Sequence, residues 1–214
     1  MHKTGWMGGL FIFLSTSALA VEVALVTAVS GSVSFKEEKS NASELKPFIK
    51  LREGDRLTLQ GKSRVQIVFF DGGRQETWQG VGVLEVGSAS SKTVKGGMQS
   101  ESRTLPAILV KQLSKTPPPE GTVKTGMIRM RSTGIAGTLE SVERDYADLR
   151  KQVDATDRSP ELYLLASYLE LREFDRLEGV LKQLREKAPQ DPQLDMLSVL
   201  YSRAISNAKG IEQP

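Results

Sequence analysis

The feature that most constrains this chain is a change of hydrophobic period near residue 139. Before it, apolar residues alternate with polar ones in short runs bounded by Gly, Asp and Ser; after it, they recur every three or four residues. The first pattern belongs to half-buried strands and the second to amphipathic helices. A chain that carries one after the other is expected to be α+β, with an all-β part followed by a helical stack.

The strand readings are specific. Leu25, Val29, Val33 and Phe35 occupy odd positions with Ser30, Ser32 and Ser34 between them, and Gly31 predicts a bulge or tight turn dividing two strands. Residues 36–46 are polar and read as a loop, and 45–51 as a short strand limited by Pro47. Glu53-Gly54-Asp55 and Gln60-Gly61-Lys62-Ser63 read as turns flanking Leu57 and Leu59. Residues 64–70 make the strongest strand. Val65, Ile67 and Phe69 share one side, and Val68 and Phe70 are apolar on the other, so its far end should be covered on both faces. Asp71-Gly72-Gly73 predicts a hairpin into 74–78, and 81–86 supplies another strand. The β domain is thus expected over 21–88. Residues 89–138 read as a linker: Ser, Gly and Lys dominate 88–102, a short helix follows Pro106 over 105–113, Pro117-Pro118-Pro119 forms a stiff break, and the end is glycine-rich.

Four helices are expected over 139–209. Leu139, Val142, Tyr146, Leu149 and Val153 mark the first. Ser159-Pro160-Glu161 opens the second with Ser159 as N-cap and Pro160 at the first helical position, and Leu162, Leu165, Ala166 and Leu169 form its apolar face. Leu177, Val180, Leu181 and Leu184 mark the third, which ends before Pro189. Asp191-Pro192 repeats the cap-and-proline start ahead of Leu194, Leu197, Tyr201 and Ile205.

The first twenty residues read as a secretory signal peptide. Lys3 is the basic start, residues 6–14 the apolar stretch, and Ala18 and Ala20 the small-residue cleavage pattern, so cleavage is expected after Ala20. No later apolar run is long enough to cross a bilayer, and a bacterial periplasm is the simplest home. Lys3 is the one formal charge removed by cleavage, taking the net charge from +3 to +2. So small an excess does not argue for a nucleic-acid partner.

The lone histidine is His2, and the chain has no Cys. Beyond the leader there is then no imidazole or thiol for zinc, for a Ser-His or Cys-His nucleophile, or for redox work. Metal, cofactor and catalytic residues are all expected to be absent. Ser-x-x-Lys spacings at Ser43/Lys46 and Ser206/Lys209 lie in segments of low information. Asp55, Asp71 and Glu85 read as solvated turn or surface groups.

Four motifs run in order through the β part: Val29-Ser30-Gly31-Ser32-Val33, Leu51-Arg52-Glu53-Gly54-Asp55-Arg56-Leu57, Gly61-Lys62-Ser63-Arg64-Val65 and Asp71-Gly72. In this the segment resembles the FecR-type domain of bacterial envelope proteins. Gly134-Ile135-Ala136-Gly137-Thr138 stands where that family carries a glycine-rich end, with Ala136 in place of the usual Arg. Leu165, Tyr168, Phe174, Leu177, Leu181, Leu184 and Pro189 resemble one tetratricopeptide unit, with Leu177 and Leu184 where Ala is usual. The resemblance implies an extracytoplasmic module that binds, scaffolds or regulates through an envelope protein or a glycan. The alternatives are a carboxylate-dependent enzyme acting on cell wall or polysaccharide, and a regulator tethered through an uncleaved N-terminus. The expected binding face is Arg64, Gln66, Arg74, Glu76 and Trp78, flanking the Asp71-Gly72 turn, with Trp78 as anchor.

Overall fold

The structure, a computed structural model, describes residues 21–37, 41–119 and 137–210. The expected leader, the bulk of the 134–138 motif and part of the 36–46 loop lie outside the described residues. The chain is α+β: an antiparallel sheet over 22–104 is followed by five helices.

The sheet holds β1 (Glu22–Lys36), β2 (Ser43–Glu44), β3 (Lys50–Arg52), β4 (Arg56–Phe69), β5 (Arg74–Gln79), β6 (Gly82–Val86), β7 (Ser91–Gly96) and β8 (Gln99–Thr104). Its pairing is simpler than that count. β4 pairs along its length with β1 on one edge, and on the other with β5 and then β6. β8 pairs with β5 and β7 with β6, so 74–86 and 91–104 each act as one long bent strand. The bends fall on Gly31, Gly61, Gly80 and Gly96, all at positive φ. At this crease the sheet folds over on itself. Ala24, Val26, Val65, Ile67, Phe69 and Trp78 of one half pack with Val33, Phe35, Leu57, Leu59, Leu84 and Val86 of the other. The crease explains why turns are expected at Gly31 and at 60–63: both segments stay inside continuous strands. The Ser63 hydroxyl donates to the Ser32 carbonyl at 2.8 Å across the bend.

Two further expectations are corrected. Residues 91–96 and 99–104 are strands rather than linker. They hide no apolar face, so they lack a period to read; the cross-strand backbone ladder alone orders them. Leu25 does not share a face with Val29, Val33 and Phe35. The β1–β4 register slips by one residue between Val26 and Ala28, and a one-residue slip turns side chains to the opposite face. Leu25 therefore joins Val68 on the outer face, as expected for the far end of β4.

That outer face is where the helices dock. Leu25, Val68 and Phe48 belong to one buried cluster with Leu109 and Leu113 of α1 (Ala107–Leu113) and with residues of every later helix. Gly73 of the β4–β5 hairpin lies against this layer. Its carbonyl accepts from Leu105 N at 2.8 Å, and a Cβ there would meet the Leu105 carbonyl at 2.8 Å. The other helices are α2 (Leu139–Lys151), α3 (Ser159–Leu171), α4 (Phe174–Lys187) and α5 (Pro192–Gly210). α3 is not one-sided: Ser159 through Leu169 are all buried, including Tyr163, Leu164 and Tyr168. It is the central helix, with α1, α2, α4 and α5 around it, and such a helix is apolar on every side. Asp191 caps α5 as expected, accepting from Gln193 N at 3.0 Å.

Candidate functional site

The five residues of the expected binding face do not share a face. In the β4–β5 ladder Val65 opposes Trp78 and Ile67 opposes Glu76, whereas Gln66 opposes Thr77. Side chains alternate sides along a strand, so Arg64 and Gln66 point outward while Glu76 and Trp78 point to the sheet's own core. Trp78 is 7% exposed and Glu76 1%. They satisfy one another: Trp78 Nε1 donates to Glu76 Oε2 at 2.9 Å, Arg74 Nε donates to Glu76 Oε1 at 2.7 Å, and Ser91 N donates to Glu76 Oε2 at 3.1 Å. Arg74, Glu76 and Trp78 thus close the core, and the anchor role expected of Trp78 is not available to it.

Arg64 and Gln66 are brought together with a different set. They line a cleft of about 470 Å³ between the outer face of the sheet and the helical part. Its floor is a polar ladder across three strands. Gln66 of β4 opposes Thr77 of β5, and Thr77 opposes Glu101 of β8. One rung further, Arg64 opposes Gln79, and Gln79 opposes Gln99. Ser30 and Ala28 of β1 extend the floor, and the wall comes from Asp154, Thr156 and Asp157 of the α2–α3 connection and Gln193 of α5.

Asp157 fixes that wall. It is 8% exposed, and its carboxylate takes three donors. Ser159 N donates at 2.8 Å, Gln75 Nε2 at 3.4 Å, and the Arg103 guanidinium forms an ion pair with it. The first contact holds the first amide of α3; the N-cap position is Arg158 with no side-chain cap, so Ser159, expected as the cap, is instead the first helical residue. The other two tie the helical part to β5 and β8. Arg103 Nε also donates to Gln75 Oε1 at 2.6 Å, and Gln193 Nε2 donates to the Val29 carbonyl at 3.2 Å. The cleft is therefore walled by hydrogen bonds at both ends. Sequence reasoning missed Asp157, Thr77, Glu101 and Gln193. The available signal was the Asp two residues before Ser159; Thr77 and Glu101 become informative only once β8 is known to pair with β5.

The remaining carboxylates sit elsewhere. Asp55, expected to be solvated, is 4% exposed, and burial pushes its carboxyl from 3.8 to about 6 although Arg52 N donates to Oδ2 at 2.7 Å. Glu85 is held below the usual range by Lys92 and Arg56. The Ser-x-x-Lys spacings contribute nothing to the cleft: Ser206 Oγ donates to its own helix, at the Ser202 carbonyl, and Ser43 is exposed on the short edge strand β2. Among the described residues no group of His, Cys, Asp and Glu could hold a metal ion, and no helix is long and apolar enough to cross a membrane.

Comparison with family models, with curated proteins and with solved structures gives no match. The cleft must therefore be interpreted from its own chemistry.

Proposed function

We propose that this chain is an exported, non-catalytic binding module of the bacterial envelope, in which a FecR-like sheet and a tetratricopeptide-like helical stack present one ligand-binding cleft at their junction. The observation that carries the reading is the cleft itself. Ligand sites favour concave surfaces between packed units, and its volume is in the range that small ligands occupy. Its lining is rich in groups that hold a ligand, namely amides, hydroxyls, a guanidinium and carboxylates. It has no imidazole or thiol to activate a nucleophile. Asp157, the most buried carboxylate on the wall, is engaged by three donors and serves as a strut. Export rests on the basic, apolar and small-residue order of the first twenty residues.

Fractionation of a Gram-negative host followed by N-terminal sequencing tests the export half: a periplasmic chain starting at Val21 is expected, and a cytoplasmic chain starting at Met1 contradicts it. A photo-crosslinking residue at Thr156, exposed on the cleft wall, tests the binding half against the same residue at Lys182 on α4. An envelope adduct formed from position 156, absent from 182 and lost in Arg64→Ala, is expected. Equal labelling from both positions, or turnover of a cell-wall substrate by the purified protein, contradicts the reading.

A further inference from the structure

The cleft is polarised, and its polarity specifies a ligand. At the β1–β4 end the free groups are donors. Arg64 is exposed and, among the described residues, has no ion-pair partner. Gln66 is oriented by its neighbour: Thr27 Oγ1 donates to Gln66 Oε1 at 2.8 Å, which leaves the amide nitrogen to donate into the cleft. At the β5–β8 end the free groups are acceptors. The carboxylates of Glu101 and Asp154 line the cleft and, among the described residues, neither has an ion-pair partner. The one cation at that end, Arg103, is already neutralised by Asp157. Between the two ends lies the Thr77 hydroxyl.

We propose that the cleft binds a short peptide by both charged ends, its carboxylate at Arg64 and Gln66 and its ammonium group at Glu101 and Asp154. This rests on the binding-module reading and names its ligand. The geometry sets the length. Arg64 and Glu101 are two strands apart and one rung offset, which places their Cα atoms about 12 Å apart. Both residues line the cleft, and an extended peptide advances about 3.5 Å per residue, so two to four residues fit. Other ligand classes fit less well. A phosphate dianion would face two uncommitted carboxylates. A sugar ring would find no aromatic side chain in the lining on which to lay its apolar face. An apolar ligand would strand the amides and charges of the floor.

The test is an amide-resonance titration of the purified protein with trialanine, N-acetyl-trialanine, trialanine amide and N,N′-diacetylchitobiose. Trialanine is expected to shift the amides of Arg64, Gln66, Thr77 and Glu101, and capping either terminus to weaken binding about fivefold or more. Arg64→Ala should be insensitive to C-terminal amidation, and Glu101→Gln should respond less to N-acetylation; both positions are exposed, so the fold tolerates the changes. Equal binding of capped and free peptides by the unmodified protein overturns the proposal without requiring any variant. So do shifts from trialanine confined to residues outside the cleft. Shifts at the cleft from the disaccharide alone overturn the peptide assignment and leave the binding module standing. No shift from any probe, together with no crosslink from position 156, overturns both.

Discussion

Asp157 makes three contacts with one carboxylate, and each belongs to a different part of the molecule: the first amides of α3, Gln75 on β5 and Arg103 on β8. Removing it leaves a helix amide uncapped and a guanidinium and an amide without their shared acceptor. Asp157→Ala should cost about 2 kcal/mol, and Asp157→Asn, which keeps an acceptor for Ser159 N, about half as much; urea midpoints of the two variants measure the difference. Asp55 is a residue-scale device of another kind. Burial, helped by Glu37 and opposed by the Arg52 amide and charge, pushes its carboxyl from 3.8 to about 6. The folded chain thus binds this proton more tightly than the unfolded chain does. The group's contribution is full below about pH 4 and is lost as pH rises through about 6, on the order of 2 to 3 kcal/mol. Asp55→Asn keeps an acceptor for Arg52 N and removes the titration. Its urea midpoint should exceed that of the parent at pH 7.5 and match it at pH 4; equal differences at both would contradict the assignment.

At the scale of elements, the crease depends on glycines at positive φ, and at Gly31 and Gly96 there is no room for a side chain either. Gly96 sits at φ 97°, and a Cβ there would lie 2.4 Å from the Val81 carbonyl and 2.6 Å from Gly82 Cα. Gly97, its neighbour, would meet nothing within 4 Å. Gly96→Ala should therefore destabilise by about 2 kcal/mol or more while Gly97→Ala stays within about 0.5 kcal/mol. Thermal melts of the pair check this. The same elements show where sequence reasoning reached. The helices were readable because Val142, Leu149, Leu177, Leu181, Leu184, Leu194, Leu197, Tyr201 and Ile205 recur at helical spacing and are buried. Arg64 and Gln66 share a face, as the sequence implies, because two residues apart on a strand is the same face whatever the partners. The face of Trp78 follows from the β4–β5 register, which no local pattern states. β7 and β8 were invisible because a fully exposed strand has no apolar side. Leu25 was misassigned because the slip at Thr27 has no composition to mark it; Thr27 itself is buried and bonded to Gln66.

For the whole molecule, the cleft exists only if the sheet and the helices hold a constant relation. Leu25, Val68 and Phe48 supply the shared apolar contact, and Asp157 and Gln193 the polar one. Leu25 is fully buried against the helical layer, and its truncation to Ala should cost about 3 kcal/mol. In the chain starting at Val21, Trp78 is the single tryptophan and lies in the core between the sheet halves, so fluorescence reports the sheet, while far-ultraviolet dichroism at the helical band reports α1–α5. The measurement that bears most directly on the account is a urea titration followed by both signals on the parent and on Leu25→Ala. One body predicts superimposed transitions in each protein, with both signals moving to lower urea together in the variant. Separate transitions, or a variant that shifts the Trp78 signal and leaves the helical signal in place, would mean that the wall of the cleft is not built on its floor.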